Sequence, residues 1–506
     1  MRWPSSRMRL HGPQAVLLMP TRVGKASDAS HPEDDKGTGL RSASFHLRAT
    51  FVRGPIAPPR QRSRQKAPGC IILVTRPVHP HMVTSRAILI HGNRQDLGCF
   101  GKSCFPNLGH RKRRILLFAV EEVNYPMIKR FHALYVGQIE LDNIGLEGTP
   151  ANDRRYPNDR LAEVFWAARD VAQLMDELGY YAFWTAEHHF QREGYECLPN
   201  LIQLGLWLAT QTRCLKFGCA FNILPMWHPI RLAEDYAMAD IVTDGRVIMG
   251  VGRGYHTREV ETFGAPLLDA EANRELFEEQ LQLLLKCFNE EAFHHEGKYY
   301  ECPPSVPYRG YPLQEITMVP RPKHLPVEIW MPIASGRTID MMAKYGLKAM
   351  VTLNGEKILD DVVRAFHSAC VRHGRPVRLG DDMIWGAGIY LADSREEAMR
   401  RVEPSHDERY KWFAPFGFVR YADEEGRTWG TPGAPARVPS LRDGVQQKAW
   451  FCGPPSQVIE GIKSIEAKYP GLEDFMIHWA EGLPPEEFKE QLRWFAKDIM
   501  PAFNRT

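Results

Sequence analysis

Between residues 183 and 190 the chain reads Phe183-Trp184-Thr185-Ala186-Glu187-His188-His189-Phe190, an apolar run that stops on one carboxylate and two imidazoles. Imidazole titrates nearest to neutral pH, and a carboxylate beside it can set its charge and orientation, so the triplet suits acid/base work or metal ligation. A second candidate, Met249-Gly250-Val251-Gly252-Arg253-Gly254-Tyr255, sets an arginine fork among glycines that let backbone approach a ligand. Its third glycine is misplaced for a dinucleotide fingerprint. Ile333-Ala334-Ser335-Gly336-Arg337-Thr338 precedes a helix-period stretch, so Ser335 and Gly336 would offer a hydroxyl and free N–H groups at a positive dipole end, which binds phosphate. Ala220-Phe221-Asn222-Ile223-Leu224-Pro225 presents small and apolar groups against which a planar cofactor would lie. Each pattern also has a plainer reading: a surface histidine pair, a tight turn with a solvated arginine, an ordinary helix cap, a packed strand.

These four stretches are ends of strands. Apolar runs at Phe131 to Tyr135, Tyr180 to Trp184, Lys216 to Leu224, Arg246 to Val251, Val327 to Met331, Lys348 to Thr352, Met383 to Leu391 and Glu473 to Trp479 read as buried strands. Helix-period stretches separate them. Arg160 to Leu178 carries an apolar stripe closed by Gly179, Asn200 can cap the next helix, and others run over Pro229 to Thr243, Ala270 to Phe288, Ser335 to Tyr345, Lys357 to Val371, Ser456 to Lys468 and Pro485 to Met500. Eight strand-helix alternations predict an α/β fold, a (β/α)8 TIM barrel with insertions. The insertions are a hairpin near Phe293 to Tyr300 and an irregular aromatic, Pro/Gly-rich excursion over about residues 403 to 446. That excursion, with Tyr410, Trp412, Phe413, Phe416, Phe418 and Tyr421, is either a cover for an apolar substrate or a packed loop.

In such a barrel the carboxyl ends of the strands form the active-site face, where Glu187-His188-His189, Arg253 and Ser335 would all stand. A metal centre would need more imidazoles or carboxylates at the other ends. These carry instead Arg253, Ala334-Ser335-Gly336 and His478-Trp479, so no metal is expected and a barrel metallohydrolase is the weaker enzymatic reading.

Charge divides the chain near Met127. Residues 1 to 126 hold 21 Lys+Arg against 7 Asp+Glu, and the totals of 64 and 61 leave 43 against 54 for the rest, so a net +14 precedes a net −11. The basic part shows no sustained period and predicts a low-order extension. Three readings compete for it: a nucleic-acid-binding arm, an organelle transit segment, or sequence translated upstream of the true start. The third is favoured, because the basic residues are broken by prolines without interleaved aromatics, and Glu33-Asp34-Asp35 interrupts the acid-poor pattern. The functional domain is then expected over 127 to 506. Its negative charge argues against nucleic acid, it has no membrane-length apolar run, and its seven cysteines lack zinc-type spacing, so a cytoplasmic location is expected.

Taken together, Ala186-Glu187-His188-His189-Phe190, Asn222-Ile223-Leu224-Pro225 with His228-Pro229 and Ala233-Glu234-Asp235, Asp244-Gly245-Arg246 through Gly252-Arg253-Gly254, and Phe263-Gly264 resemble the bacterial luciferase-like, flavin-dependent monooxygenase family. The resemblance runs from about Phe131 to Gly346, and more weakly to Phe503. It implies a barrel that takes reduced FMN from a partner flavin reductase, forms a flavin hydroperoxide with O2 and oxidises a small organic substrate. It also implies that His188 assists the oxygen chemistry, that Glu187 and His189 orient it, and that Arg253, Ser335 and Gly336 hold the flavin phosphate. The Ala220-Phe221 peptide, cis in relatives, would support the flavin ring, with Asn222, Gly252, Gly254 and Tyr255 beside the cofactor. A homodimer is implied as well. Gly252 replaces luciferase's cysteine and Met331-Pro332-Ile333 lacks its acidic residue, which argues against light emission from a long-chain aldehyde. Two alternatives stay open: a deazaflavin-dependent dehydrogenase on the same barrel, and a non-catalytic flavin-binding protein.

Overall fold

A computed structural model describes residues 128–333, 336–423, 427 and 437–503, together with the residue pairs 72–73 and 88–89. The chain divides into two units, Pro4–Asn124 and a second running from Tyr125 to Thr506. In the first, Ile72–Leu73 pairs antiparallel with Ile88–Leu89. The expectation of a low-order extension concerns residues that otherwise lie outside the described ones.

Eight strands of the second unit close into one parallel barrel: β1 (Arg130–Tyr135), β2 (Ala182–Thr185), β3 (Lys216–Cys219), β4 (Val247–Gly252), β5 (Ile329–Pro332), β6 (Lys348–Val351), β7 (Met383–Leu391) and β8 (Asp474–His478). Each pairs with its neighbours in order. The ring is completed where β8 meets β1 (Asp474 opposite Arg130) and β4 meets β5 (Met249 opposite Ile329). The helices that matter for the site are α1 (Asn158–Leu178), α2 (Leu201–Thr210), α3 (Pro229–Thr243), α4 (Ala270–Asn289), α5 (Gly336–Tyr345), α6 (Glu356–Arg372) and α7 (Arg395–Phe413). Caps match the chemistry of the sequence. Gly179 ends α1 in the left-handed conformation at φ +80°, and the Asn200 side chain accepts from the Gln203 N–H to start α2.

Ala182, Trp184, Ile248, Trp330, Met350, Ile384 and Met476 fill the barrel interior as a cluster separate from the larger core. Trp184 fits because residue 218 is glycine: a Cβ there would stand 2.2 Å from the indole. Below this layer, the Trp184 indole N–H donates to His132 Nδ1 at 3.0 Å, and His132 Nε2 lies 2.9 Å from Asp474. Arg130 grips the same carboxylate at 2.5 and 2.6 Å. Burial would raise the Asp474 pKa, but Arg130 and His132 push it down to about 2. The amino-terminal end is thus a closed set of structural ion pairs.

Three elements differ from the pattern in the sequence. The third strand does not run to Leu224; it stops at Cys219, and Asn222–Ile223 resumes as a separate short strand along β4. Trp450–Gly453 forms an extra parallel strand on β7. The excursion expected from residue 403 begins instead as helix, because α7 continues through Pro404 to Phe413. A proline inside a helix costs about 3 kcal/mol. What offsets it is burial of the far turns: Glu408, Arg409 and Trp412 are all buried and partnered. The Phe293 to Tyr300 hairpin is present as His295–Glu296 paired with Glu301–Cys302.

Candidate active site

The loop after β2 folds back on itself. Phe190 at φ +62° and Gly194 at φ +82° reverse it, and the His188 N–H donates to the Leu198 carbonyl at 3.0 Å. Gly194 has no room for a side chain, since a Cβ would meet Ile139 at 2.9 Å. The fold-back brings Glu196 over His188. Glu196 is fully buried and His188 is 5 % exposed, with Nε2 3.1 Å from Glu196 Oε1. On the other side of the ring, Nδ1 lies 3.3 Å from Glu259, which projects from the short helix Thr257–Val260.

Burial by itself would lower the His188 pKa. Glu196 and Glu259 outweigh it and hold the pKa above its ordinary value, which favours the protonated ring. The carboxylates respond in kind. Burial favours protonating both, yet His188, helped by His256, keeps each below the ordinary range. The Tyr255 hydroxyl donates to Glu196 at 2.8 Å and lies 3.2 Å from His188 Nε2. Burial, then Glu196, pushes the Tyr255 pKa well up, so it remains a hydroxyl donor.

His188, Glu196 and His256 place ligand-type atoms within 4.8 Å of one another. The carboxylate is nonetheless committed to hydrogen bonds. Oε1 faces His188 and Tyr255, while Oε2 faces His256 Nε2 at 3.0 Å and the Trp412 indole N–H at 3.1 Å. A metal would have to displace these donors.

Glu187 and His189 stand apart from this network. Glu187 accepts from the Ile223 N–H at 2.7 Å and the Trp227 indole at 2.9 Å, and lies 3.1 Å from His189 Nε2. It hydrogen-bonds no atom of His188. The three adjacent residues therefore do two jobs. His188 faces Glu196 and Glu259, whereas Glu187 ties the β2 loop to the segment after β3, and His189 packs on Phe263 at 4.8 Å.

That segment contains the non-proline cis peptide Ala220-Phe221. The glycines of β4 are there for it: a Cβ at Gly250 would overlap the Cys219 carbonyl at 1.8 Å, and one at Gly252 would press on Phe221 and Ile223 at 3.2 Å. They let two backbones approach each other. Gly254 likewise would crowd Val260 at 2.5 Å. Asn222 is fully buried; its amide donates to the Gly250 carbonyl at 2.9 Å, and its Oδ1 has no protein partner.

Arg253 turns the other way from Tyr255. Among the described residues its guanidinium hydrogen-bonds the neutral Asn273 side chain at 3.3 Å, and no carboxylate forms an ion pair with it. Burial and the neighbouring Arg274 lower its pKa, the signature of a guanidinium without a counter-charge. Glu271 bridges Arg274 at 3.1 Å and Arg337 at 2.7 Å, which sets the first turn of α4 beside that of α5. Gly336 opens α5 and is exposed; Ser335 lies outside the described residues. Two arginines near a helix amino terminus fit a phosphate group.

The far end of α7 covers the mouth. Glu408 is held by Arg154 at 3.0 Å, Lys411 at 2.8 Å, the Gly145 N–H at 2.9 Å and the Tyr195 hydroxyl. Trp412 stacks on Tyr195 at 4.2 Å, and Phe416 and Phe418 meet the Tyr255 ring edge-on at 5.3 and 5.1 Å. Of the functional groups, Glu196, His256, Glu259 and Arg274 were not singled out in the sequence, whereas Trp412 is one of the aromatics of the excursion read there as a cover or a packed loop. A carboxylate following Gly194 in the same loop, and His256 and Glu259 just past Tyr255, were the available signals.

A sequence model of the luciferase-like monooxygenase family matches residues 148–470, and the chain belongs to that family. It is similar to the oxygenase component of the flavin-dependent trigonelline monooxygenase of Acinetobacter baylyi, 24 % identical over 344 residues, 67 % of this chain and 89 % of that one. Among solved structures, the oxygenating constituent of 3,6-diketocamphane monooxygenase from Pseudomonas putida in complex with FMN matches with a TM-score of 0.58 at 19 % identity, over 74 % of this chain and 99 % of the other. An F420-dependent secondary alcohol dehydrogenase matches with a TM-score of 0.50 at 12 % identity, covering 74 % and 100 %. The protein is thus an oxidoreductase of the luciferase-like flavin-dependent monooxygenase family on a (β/α)8 barrel. Among the described residues no helix is long and apolar enough to cross a membrane.

Proposed function

We propose that this protein is the oxygenase of a two-component system, taking reduced FMN from a separate flavin reductase and using O2 to oxidise a small organic substrate. The observation that carries this reading is His188, a buried imidazole between Glu196 and Glu259, which raise its pKa, at the same barrel end as Arg253, which has no carboxylate partner among the described residues. Bound reduced flavin would supply the electrons that activate O2. Arg253, Arg274 and the first turn of α5, with Ser335 and Gly336, would hold its phosphate. Ala220, Phe221 and Asn222 would support the ring beside Gly252, Gly254 and Tyr255. His188 would donate a proton toward the reacting oxygen, with Glu187 and His189 holding the segment under the ring. Phe416 and Phe418 would exclude water and favour an apolar or aromatic substrate face.

The working unit under this reading is 127–506, in the cytoplasm. A homodimer is favoured by an apolar strip exposed on α1 and α3, where Trp166, Met238 and Val242 are each at least half exposed.

The test is a titration of the protein with reduced FMN and with reduced deazaflavin, followed by O2 consumption while FMNH2 is regenerated. Tight binding of FMNH2 and its rapid oxidation support the reading. Binding of deazaflavin with exclusion of FMN would establish the dehydrogenase alternative instead, and flavin binding with no O2 uptake for any substrate would leave a non-catalytic binder.

A further inference from the structure

We infer that Glu196 is the positioning residue for His188, acting as a single carboxylate clamped between two imidazoles, His188 and His256, and locked there by Trp412 of α7. The inference rests on the reading of His188 as the acid of a flavin oxygenase, but it concerns groups that share no sequence motif with it.

Four hydrogen-bonding groups converge on Glu196, Gln191 from the β2 loop, Tyr255 and His256 after β4, and Trp412 from α7, while His188 Nε2 stands 3.1 Å from Oε1 as an ion pair and shares the Tyr255 hydroxyl with it. No solvent reaches this carboxylate. A buried carboxylate engaged at both oxygens has one orientation, so its charge stands at a fixed place beside the Nε2 edge of His188. The nearer candidate in sequence, Glu187, hydrogen-bonds Ile223, Trp227 and His189 instead. Glu259 hydrogen-bonds the opposite nitrogen at 3.3 and 3.4 Å, and also accepts from Gln191 at 2.8 Å.

The charged and titratable groups around His188 are Glu196 and Glu187 from the β2 side, Tyr255 and His256 after β4, and Glu259 on the short helix. Arg258, on the same short helix as Glu259, is paired with Glu193 at 2.9 Å. Burial disfavours the charged ring; against it Glu196 acts by its charge, and Glu259 by both its hydrogen bond and its charge. Neutralising Glu196 therefore leaves burial dominant on the Nε2 side.

The Trp412 bond gives the clamp a further property. The indole that donates to Glu196 stacks on Tyr195, whose hydroxyl meets Glu408. Seating of the α7 end is thereby coupled to the carboxylate that orients His188.

The first test needs no flavin. Histidine side-chain NMR titration of the full chain, with His188 and His256 resonances assigned through the His188→Asn and His256→Asn variants, reads the proton affinity of His188 directly. Glu196→Gln is expected to lower it roughly tenfold, moving the titration to lower pH. Glu196→Asp, which keeps the charge and guards against a folding failure of the first variant, is expected to keep the His188 titration close to wild type. In turnover assays Glu196→Gln should shift the alkaline fall of kcat to lower pH with KM unchanged, whereas a role confined to stability would move neither. An unaltered His188 titration in Glu196→Gln, or one that moves only in Glu259→Gln, overturns the inference. A normal NMR result with no reduced-flavin binding would instead overturn the functional reading and leave the clamp standing.

Discussion

The two polar centres at the carboxyl end of the barrel are built on opposite principles. Around His188 every charge has its partner inside the protein, so the group is held in one state before any ligand arrives. Around Arg253 and Arg274 positive charge exceeds what the protein supplies, with Glu271 shared between Arg274 and Arg337. A preorganised acid costs nothing to reorganise during reaction, and an uncompensated cation is stabilised by an arriving anion. Chemistry and cofactor capture are thus separable in this site.

The sharpest way to break that comparison is to remove each centre in turn. His188→Asn should cut turnover by about 10²–10⁴-fold, the usual worth of a positioned acid, while the dissociation constant for reduced FMN stays within about twofold. Rapid-reaction spectroscopy reads both. Arg253→Met should do the reverse, weakening FMNH2 about 10–100-fold, as expected for a lost charged hydrogen bond of about 1.5–3 kcal/mol, with turnover at saturating flavin little altered. Loss of binding in the first variant, or of chemistry alone in the second, would erase the distinction.

A smaller effect is expected from pH. Because the His188 pKa is raised, kcat should hold through neutral pH and fall as pH rises through that value, and Glu259→Gln should bring the fall to lower pH. Stability follows the same sign. The contribution of this raised group is complete below the unfolded value near 6.5 and is lost as pH rises through the folded one, which thermal unfolding across that range would register. The smallest effect belongs to Glu187→Gln, which should change kcat less than about threefold while lowering stability by about 1–2 kcal/mol, since Ile223 and Trp227 lose a shared charged acceptor. A loss of turnover as large as that of His188→Asn would mean that the Glu-His-His triplet works as one unit after all.

Much of the barrel was legible because buried strands and amphipathic helices write their periods into the chain, and each strand end carried its polar residues in order. The α1 stripe with Gly179, the Asn200 cap and the cis Ala220-Phe221 peptide stand where the pattern or the family resemblance put them. The reading failed where packing overruled local propensity. The stretch from about residue 403 reads as an irregular excursion, yet α7 continues through Pro404, and Glu408, Arg409 and Trp412 find buried partners on its far turns. The glycines of β4 also admit the chain's own segment after β3, a neighbour that no local pattern names.

By itself the amino-acid sequence determined the barrel, its polar face and the presence there of His188 and Arg253, because strand alternation and strand-end chemistry are local properties. Which groups surround them was decided only in three dimensions. Adjacent residues on an irregular loop point in different directions, so Glu187 and His189 left His188. Residues distant in the chain then closed on it: Glu196 by the turn at Gly194, Glu259 by the helix after β4, and Trp412 by a helix that crosses the mouth. Charge state at His188 is a sum over those neighbours and over burial, and no spacing rule along the chain contains that sum.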